Sequence, residues 1–270
     1  KLRSTPVKKE AEKHEITVLT AKNINKEPFI DKLKEISPEV IVVVAFGQKL
    51  SKQILELPDY GCINLHASLL PKYRGASPIH RAIINGDEVS GVSTMYMDEG
   101  LDTGDIIYKK EIEITSDDTV GNLHDKLADK GADLLTKTII DLKNGKAPRA
   151  EQNDAEASYA PKIDKSLGKI DWSLTAQEIY NLVRGVNPWP GAYTYLNDKL
   201  LKVWQVSIED DSKNNCPAGK VIAASEKKGF IVQTGKGTIK IEKLQLAGKK
   251  RMDSAAFLRG YNLKKGIVLG

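Results

Sequence analysis

Residues 61–105 read GCINLHASLLPKYRGASPIHRAIINGDEVSGVSTMYMDEGLDTGD, and this stretch decides the fold. The apolar run 62–65 predicts a short buried strand, residues 78–84 predict a helix, and the alternation at 92–97 predicts another strand. Working outward, apolar strand-like and helix-like segments also alternate along the preceding 60 residues. This alternation favours a doubly wound, Rossmann-like α/β domain.

Three polar side chains lie at the ends of these predicted strands. Asn64 and His66 end the first strand, and Asp102 lies in the loop that follows the second. Ligands bind at the carboxyl ends of strands in open α/β sheets, so the three residues are candidates for one catalytic site. Their types suit attack on a carbonyl, because amide and imidazole groups can donate to an oxygen that becomes anionic.

A carboxylate near a histidine can hold the protonated ring and help to pass a proton onward. No Ser or Cys stands beside a base in this stretch, as a covalent nucleophile would require. The residues therefore favour direct acyl transfer to an external nucleophile, or hydrolysis, over an acyl-enzyme. No zinc-like spacing is present, and no metal is predicted.

The stretch resembles the folate-dependent formyltransferases. The resemblance rests on NLHASLLP (residues 64–71), Arg74-Gly75 and LDTGD (residues 101–105), in that order and spacing. It implies transfer of a formyl group from 10-formyltetrahydrofolate to an amine, with Asn64, His66 and Asp102 as catalytic residues. It also implies a set of donor-binding residues, namely Phe46, Gly47, Ser68, Leu69, Leu70 and Pro71.

Within that family the resemblance is greatest to members that formylate initiator methionyl-tRNA for translation initiation. Two other readings stay open at this point. One is a related formyltransferase or a hydrolase that acts on a small amine or nucleotide-sugar acceptor. The other is a non-catalytic, RNA-binding fragment, because the chain lacks the N-terminal strand, helix and strand of the family and residues 1–3 match only the tail of its next basic loop.

The remaining sequence predicts two domains joined by a linker. Residues 1–146 are assigned to the catalytic domain, in which the β-branched run 40–46 predicts a central parallel strand covered on both faces. The polar, aperiodic segment 147–169 is assigned to the linker. Residues 170–270 contain about five short strands separated by turns such as Asn214-Asn215, which predicts a small barrel of the oligonucleotide-binding type.

Charge is unevenly distributed between the two halves. Residues 1–165 carry 24 Lys and Arg against 27 Asp and Glu, whereas residues 166–270 carry 17 against 9. A basic C-terminal half favours an anionic macromolecular partner. We assign tRNA contacts to five basic residues: Arg74, Arg184, Lys249, Lys250 and Arg251.

Composition limits the setting in which the protein acts. The chain has 270 residues, 40% of them hydrophobic, and no apolar run approaches the length of a membrane span. Two cysteines are too few for a disulfide framework, which favours a reducing compartment such as the cytoplasm. We expect a cytoplasmic monomer.

Overall fold

The computed structural model describes residues 4–210 and 216–270, which form a four-stranded and a six-stranded sheet. The predicted turn at Asn214-Asn215 and residues 1–3 lie outside the described residues. The helices are α1 (Pro6–Lys13), α2 (Glu27–Ile36), α3 (Lys52–Leu55), α4 (Pro78–Ile84), α5 (Val120–Lys143), α6 (Ala176–Gly185) and α7 (Ser254–Gly260). The strands are β1 (Ile41–Val44), β2 (Cys62–His66), β3 (Val89–Tyr96), β4 (Ile106–Glu113), β5 (Ala192–Leu196), β6 (Lys199–Asp210), β7 (Val221–Ser225), β8 (Gly229–Gln233), β9 (Thr238–Leu246) and β10 (Met252–Asp253).

The first sheet has the order β1-β2-β3-β4 and is mixed. β1 and β2 are parallel, whereas β2 with β3 and β3 with β4 are antiparallel. Helix α5 packs on one face through Leu123 and Leu127, and α2 and α3 pack against β1 and β2 on the other. The predicted α/β class is confirmed, and the sheet brings the carboxyl ends of β1 and β2 to one edge.

The strand predicted within residues 40–46 is present as β1, parallel to β2, and its central position stays a prediction. β1 is an edge strand of the four-stranded sheet, and only one of its faces is covered by described residues. Ile41 and Val43 pack against α2, whereas Val44 on the alternate face is 52% exposed. A β-branched run is compatible with both positions, because its composition reports strand propensity and not the number of neighbouring strands.

The second sheet has the order β5-β6-β9-β8-β7, and β10 pairs with β9. All of its pairs are antiparallel, and register shifts interrupt β6 between Val203 and Asp210. Such irregularities bend a long strand, which lets one sheet curve around a core. Helix α6 fills that core through Ile179 and Val183 beside Phe230, giving the predicted small barrel.

Helix α6 also joins the two domains. The Tyr180 hydroxyl donates to the Ser116 carbonyl over 2.8 Å, and Arg184 Nη1 donates to the carbonyls of Thr115 and Asp118 over 3.1 and 3.3 Å. Gly185 of α6 lies so close to Ile84 of α4 that an added Cβ would be 2.5 Å from its Cγ1. The barrel is therefore hydrogen-bonded to and packed on the α/β domain.

Among the described residues, no helix is long and apolar enough to cross a membrane. Residues 150–160, inside the predicted linker, run along the α/β domain and form a 3-10 turn at Asp154–Glu156. Ala150 exchanges two backbone hydrogen bonds with Ile106 over 2.8 and 3.0 Å, and Ala160 is fully buried. The division of the chain at residues 147–169 stays a prediction.

Candidate active site

Strand β2 sets the direction of two of the three predicted catalytic side chains. Asn64 and His66 are two residues apart, so both face the same side of the sheet. The intervening Leu65 faces the opposite side, where it packs against Gly131 of α5. Asn64 and His66 are only 8% and 7% exposed. The side-chain alternation of one short strand therefore brings an amide and an imidazole together.

Among the described residues, no group forms a hydrogen bond with the Asn64 side chain. Its amide atoms are not among the unpartnered polar atoms that are completely closed off from solvent. A buried amide in a folded protein is ordinarily bound to another protein group. The two N–H donors of Asn64 are thus free to bind a ligand at the end of β2.

Both ring nitrogens of His66 face specific partners. Nε2 lies 2.9 Å from the carbonyl oxygen of Tyr73, and Nδ1 lies 3.6 Å from Oδ2 of Asp102. A carbonyl oxygen only accepts, so Nε2 carries the hydrogen, and in the neutral ring Nδ1 carries the lone pair. The ring therefore presents its basic nitrogen to Asp102.

Asp102 reaches His66 from a loop and not from a strand. Its Oδ2 accepts a hydrogen bond from the backbone N–H of Gly75 over 2.7 Å, and its backbone has φ +56°. Such a left-handed conformation is costly for a residue with a Cβ, so the surrounding contacts must hold it. The structure thus brings the three predicted catalytic residues together, although their roles stay predictions.

The other acidic residues of the loop shape it. Asp98 accepts hydrogen bonds from the Thr103 hydroxyl, at 2.7 and 2.9 Å, and from the Gly100 N–H at 2.9 Å. Asp105 accepts from Arg149 Nε over 3.0 Å, on the surface. Their carboxylates are therefore engaged in contacts that exclude them from the group around His66.

Residues 68–71, which are predicted to bind the donor, form the corner that follows β2. Ser68, Leu70 and Pro71 are buried inside the protein. The Ser68 hydroxyl donates to the Lys72 carbonyl over 2.6 Å, and Ser93 Oγ donates to the Ser68 carbonyl over 2.7 Å. These contacts close the corner after β2, so the side chains of Ser68, Leu70 and Pro71 support the loop, and donor binding by residues 68–71 stays a prediction.

Leu69 of the same corner is half-buried and packs against β3, where an added Cβ on Gly91 would be 2.4 Å from Leu69 Cδ2.

Phe46 and Gly47, by contrast, lie in an open part of the structure. They follow the carboxyl end of β1, Phe46 is 45% exposed, and nothing lies within 4 Å of an ideal Cβ on Gly47. These two residues remain candidates for donor binding, together with the exposed Leu101 beside Asp102.

Arg74 does not fit its predicted tRNA contact, because its side chain is 2% exposed. Its Nε and Nη2 donate to Gln152 Oε1 over 3.1 and 2.9 Å, and Nη2 also donates to Asp154 Oδ1 over 2.8 Å. A guanidinium committed in this way cannot reach a phosphate outside the protein. Arg74 is a structural residue of the site.

The other predicted tRNA contacts lie at or near the surface. Arg184 is half-buried, burial lowers the pKa of its guanidinium, and most of its N–H groups bind Asn181 and two carbonyls of the α/β domain. Lys249, Lys250 and Arg251 are exposed, and the Arg251 guanidinium lies 3.6 Å from the centroid of the Trp204 ring. Arg184 therefore serves the domain joint, whereas the three consecutive cations are available to an anionic ligand.

Sequence reasoning missed the groups that hold the catalytic residues in place. The Tyr73 carbonyl orients His66, the Gly75 N–H orients Asp102, and the Gln152 side chain binds the backbone of the Asp102 loop. Two of these groups belong to the backbone, which leaves no signal in residue type. Within residues 4–210 and 216–270, no cluster of three or more His, Cys, Asp or Glu side chains is placed to hold a metal ion.

Comparison with known proteins identifies the family to which this chain belongs. The chain matches the formyl transferase family over residues 1–139 and the formyl transferase C-terminal domain over residues 162–262, and it belongs to this family. The predicted assignment to the formyltransferases is thereby confirmed, and the chain is an enzyme of formyl transfer.

Within the family the chain falls among the methionyl-tRNA formyltransferases. It is 60% identical to the methionyl-tRNA formyltransferase of Halothermothrix orenii over 276 residues, which cover 100% of this chain and 87% of that protein. It is 51% identical to that of Clostridioides difficile over 270 residues, covering 100% and 87%. Among solved structures, HypX from Aquifex aeolicus in complex with tetrahydrofolic acid is similar in fold, with a TM-score of 0.63 and 17% identity over 85% of this chain and 40% of that one.

Proposed function

We propose that this enzyme transfers the formyl group of 10-formyltetrahydrofolate to the amino group of initiator methionyl-tRNA. The observation that carries the proposal is the group formed by the buried Asn64 and His66 with the partly buried Asp102, found in a chain 60% identical to a methionyl-tRNA formyltransferase. Attack by the amine turns the formyl carbonyl into an oxyanion and releases a proton from the amine. Collapse of this tetrahedral intermediate re-forms the carbonyl and breaks the bond to the donor nitrogen, which takes up a proton as it leaves. The site must serve the first two of these changes.

Asn64 is the donor to the oxyanion. Its amide N–H groups are unpartnered in the protein and lie where β2 ends, so they can bind the oxygen as its negative charge grows. Removing one such donor from an enzyme typically costs about 10²–10³ in kcat, because a preorganised hydrogen bond is strongest in the transition state. Asn64 is thus assigned electrostatic stabilisation.

His66 and Asp102 handle the proton. Because the Nε2–H of His66 is bound to the Tyr73 carbonyl, Nδ1 is the ring atom that can accept a proton from the attacking amine. Asp102 Oδ2, 3.6 Å away, then balances the charge on the imidazolium. The Gly75 N–H keeps that carboxylate in place while the proton moves.

The residues around this group suit a folate donor. Exposed apolar side chains stand at the end of β1 and on the Asp102 loop, namely Phe46 and Leu101. Flat aromatic ligands bind against apolar surfaces of this kind, with a few polar groups to orient them. The donor supplies the activated formyl group, and these residues would hold its ring system near Asn64.

The acceptor assignment rests on relatives and on charge. Identities of 60% and 51% to methionyl-tRNA formyltransferases favour a tRNA over a small amine or nucleotide-sugar acceptor. Lys249, Lys250 and Arg251 offer three exposed cations on the barrel, which suits contact with phosphates. A tRNA acceptor implies that the enzyme works in the cytoplasm, and we expect it to act as a monomer.

The test is formylation of charged initiator Met-tRNA, with 10-formyltetrahydrofolate as donor. We expect turnover by the natural chain and a loss of about a hundredfold or more in Asn64→Ala. Asn144→Ala, which removes an exposed amide after α5, is the matched control and should keep full activity. Equal activity in Asn64→Ala would remove the proposed role of Asn64. Consumption of the donor with another amine, but not with Met-tRNA, would overturn the acceptor assignment and leave the chemistry intact.

A further inference from the structure

A short segment of the predicted linker connects the two loops of the active site. We call residues 150–160 the strap. At one end, Ala150 pairs with Ile106 at the end of the Asp102 loop. At the other end, the Ser158 carbonyl accepts from the Arg74 N–H over 2.8 Å, and the Ala160 N–H donates to the Arg74 carbonyl over 2.7 Å. The strap therefore spans from the loop that carries Asp102 to the loop that carries Tyr73 and Gly75.

Gln152 lies between the two ends of the strap and is 8% exposed. Its Nε2 donates to the backbone carbonyls of Asp102 and Gly104, over 2.9 and 2.7 Å. Its Oε1 accepts from Nε and Nη2 of Arg74. One buried side-chain amide thus forms four hydrogen bonds that join the two loops.

The orientation of this amide is forced by its partners. Arginine has only donors and a backbone carbonyl only accepts, so the oxygen of Gln152 must face Arg74 and its nitrogen must face the loop. Arg74 is fixed in turn by Asp154, over 2.8 Å. The direction in which Gln152 holds the Asp102 loop is therefore determined by a buried guanidinium more than 70 residues away in the chain.

We infer that Gln152 is a positioning residue for catalysis, which keeps Asp102 against His66 through the backbone of residues 102–104. Arg74 serves this function by setting the orientation of the Gln152 amide. The inference rests on the catalytic roles proposed above for Asp102 and His66. Neither Gln152 nor Arg74 touches the reacting atoms.

The geometry explains why Asp102 needs such support. Its backbone is in the left-handed region, and its carboxylate is attached to a loop that returns to the sheet only at Ile106. Without the two bonds from Gln152, the carbonyls of Asp102 and Gly104 would lose their buried donor. A displacement of about 1 Å in a reacting group can cost about a hundredfold in rate, so a modest movement of the loop would be seen in kcat.

Gln152→Glu is the most informative variant. A carboxylate of the same length still accepts from Arg74, so the contact between strap and Arg74 is kept, but it has no N–H to give to the loop. We expect kcat for formylation to fall by about tenfold to a hundredfold while KM for Met-tRNA changes by less than about threefold. Glu151→Gln, an exposed neighbour on the strap, is the matched control and should behave as the natural chain.

Two further measurements separate positioning from a general loss of stability. In an Asp102→Asn background, Gln152→Glu should change the residual rate by less than about twofold, because its effect passes through Asp102. Hydrogen exchange of the Gly75 amide, which is bonded to Asp102 Oδ2, should accelerate in Gln152→Glu by about tenfold relative to the Met97 amide, which is bonded to the Cys62 carbonyl. This exchange measurement needs no substrate, so it decides the inference even if the natural chain does not formylate Met-tRNA.

Arg74→Lys provides a second route should Gln152→Glu fail to fold. A lysine can still pair with Asp154 but cannot hold Oε1 of Gln152 with two donors, so the amide becomes free to turn. We expect the same fall in kcat and the same faster exchange at Gly75, each by at least about fivefold. The inference is overturned if the folded variants keep kcat and Gly75 exchange within twofold of the natural chain, or if the effect is additive with Asp102→Asn.

Discussion

Asp102 Oδ2 lies 3.6 Å from His66 Nδ1 and only 2.7 Å from the backbone nitrogen of Gly75. The carboxylate is thus held by a main-chain donor that does not titrate, and the imidazole is its second contact. Gly75 and the Tyr73 carbonyl that binds His66 belong to the same loop. One loop therefore fixes both members of the proposed proton-transfer pair.

Asp102→Asn tests the proposed role of the carboxylate. An asparagine oxygen can still accept from the Gly75 N–H, so we expect the melting temperature to change little. Turnover should fall by about a hundredfold or more, because a neutral amide cannot balance the imidazolium. Steady-state formylation and thermal unfolding measure the two effects. Asp105→Asn on the same loop is the control, and near-natural turnover in Asp102→Asn would refute the assignment.

Gly75→Ala should damage the site and the fold together. Gly75 has φ +112°, and an added Cβ would lie 2.8 Å from the Ala160 carbonyl oxygen. We expect a loss of about 2 kcal/mol or more in the free energy of unfolding, and lost activity because the Asp102 contact moves. Gly145→Ala has a positive φ with nothing within 4 Å, so it should cost only about 1 kcal/mol and keep its activity. Denaturant unfolding measures the loss of stability in both variants. Equal losses would contradict the argument that the added Cβ clashes with the Ala160 carbonyl.

Tyr73→Phe separates the side chain of Tyr73 from its carbonyl. The hydroxyl donates to Asp87 Oδ2 over 2.7 Å and accepts from Asn85 Nδ2 over 2.9 Å. Its loss should cost about 1–2 kcal/mol in unfolding, whereas kcat should stay within about threefold because the bond to His66 comes from the backbone. Chemical denaturation and steady-state kinetics on the same sample supply both values. A hundredfold fall in kcat would show that the ring and not the carbonyl orients His66.

Tyr73 also predicts behaviour in alkali. Burial, together with the nearby Asp87 carboxylate, raises the pKa of Tyr73 from 10.0 to about 12. Because the neutral phenol is favoured in the folded state, this stabilisation is fully present below pH 10 and is lost as the pH rises towards 12. Unfolding followed from pH 9 to pH 12 should show the loss in the natural chain. The Tyr73→Phe variant should lack this loss of stability. An identical slope of the free energy of unfolding against pH in the two proteins would contradict the prediction.

Asp118 predicts a loss of stability in acid. Burial alone would raise the pKa of Asp118, but hydrogen bonds from Lys126 and from the backbone N–H of Thr115 outweigh it and lower the pKa below 3.8. The stabilisation is therefore present above that pH and is lost as the pH falls through the lowered value. Asp118→Asn should be less stable at neutral pH and should lose less on acidification. The free energy of unfolding of the two proteins, measured between pH 7 and pH 2, tests this prediction. Parallel pH dependences would contradict it.

The basic cluster predicts salt-dependent binding of the acceptor. Replacing Lys249 and Lys250 by alanine should raise KM for Met-tRNA and reduce the slope of log affinity against log salt by about 1–2, with kcat unchanged. Lys109→Ala with Lys110→Ala removes the same charge from β4 and is the control. Filter binding at several salt concentrations measures the slopes. Equal slopes in the two double variants would exclude the cluster as a phosphate contact.

Local sequence patterns predicted the elements well. The helix predicted over residues 78–84 has the bounds of α4, and the strand predicted over residues 62–65 lies within β2, because hydrophobic periodicity and turn residues are local properties. The α/β domain followed by a barrel is confirmed. The order of the strands was less accessible to prediction, because it depends on contacts between residues far apart in the chain.

The site could be predicted only in part. Asn64, His66 and Asp102 follow from residue types at strand ends, although their roles stay predictions. Burial of Ser68 and Arg74 is set by partners that the local sequence does not identify: Gln152 is separated from Arg74 by 78 positions and from Asp102 by 50. A polar, aperiodic segment gives no sign that one of its glutamines is buried.

The bonds between Arg184 of α6 and the carbonyls of Thr115 and Asp118 carry a consequence for substrate choice. These bonds, with the close packing of Gly185 on Ile84, hold the barrel against the α/β domain and so restrict the span from the Lys249–Lys250 surface to Asn64. An acceptor must then present its anionic contact and its amine at matching separation. An acceptor that is too short would reach either the Lys249–Lys250 surface or Asn64, but not both. The fixed arrangement of the two domains would therefore select acceptors by size, without a pocket that recognises the molecules it rejects.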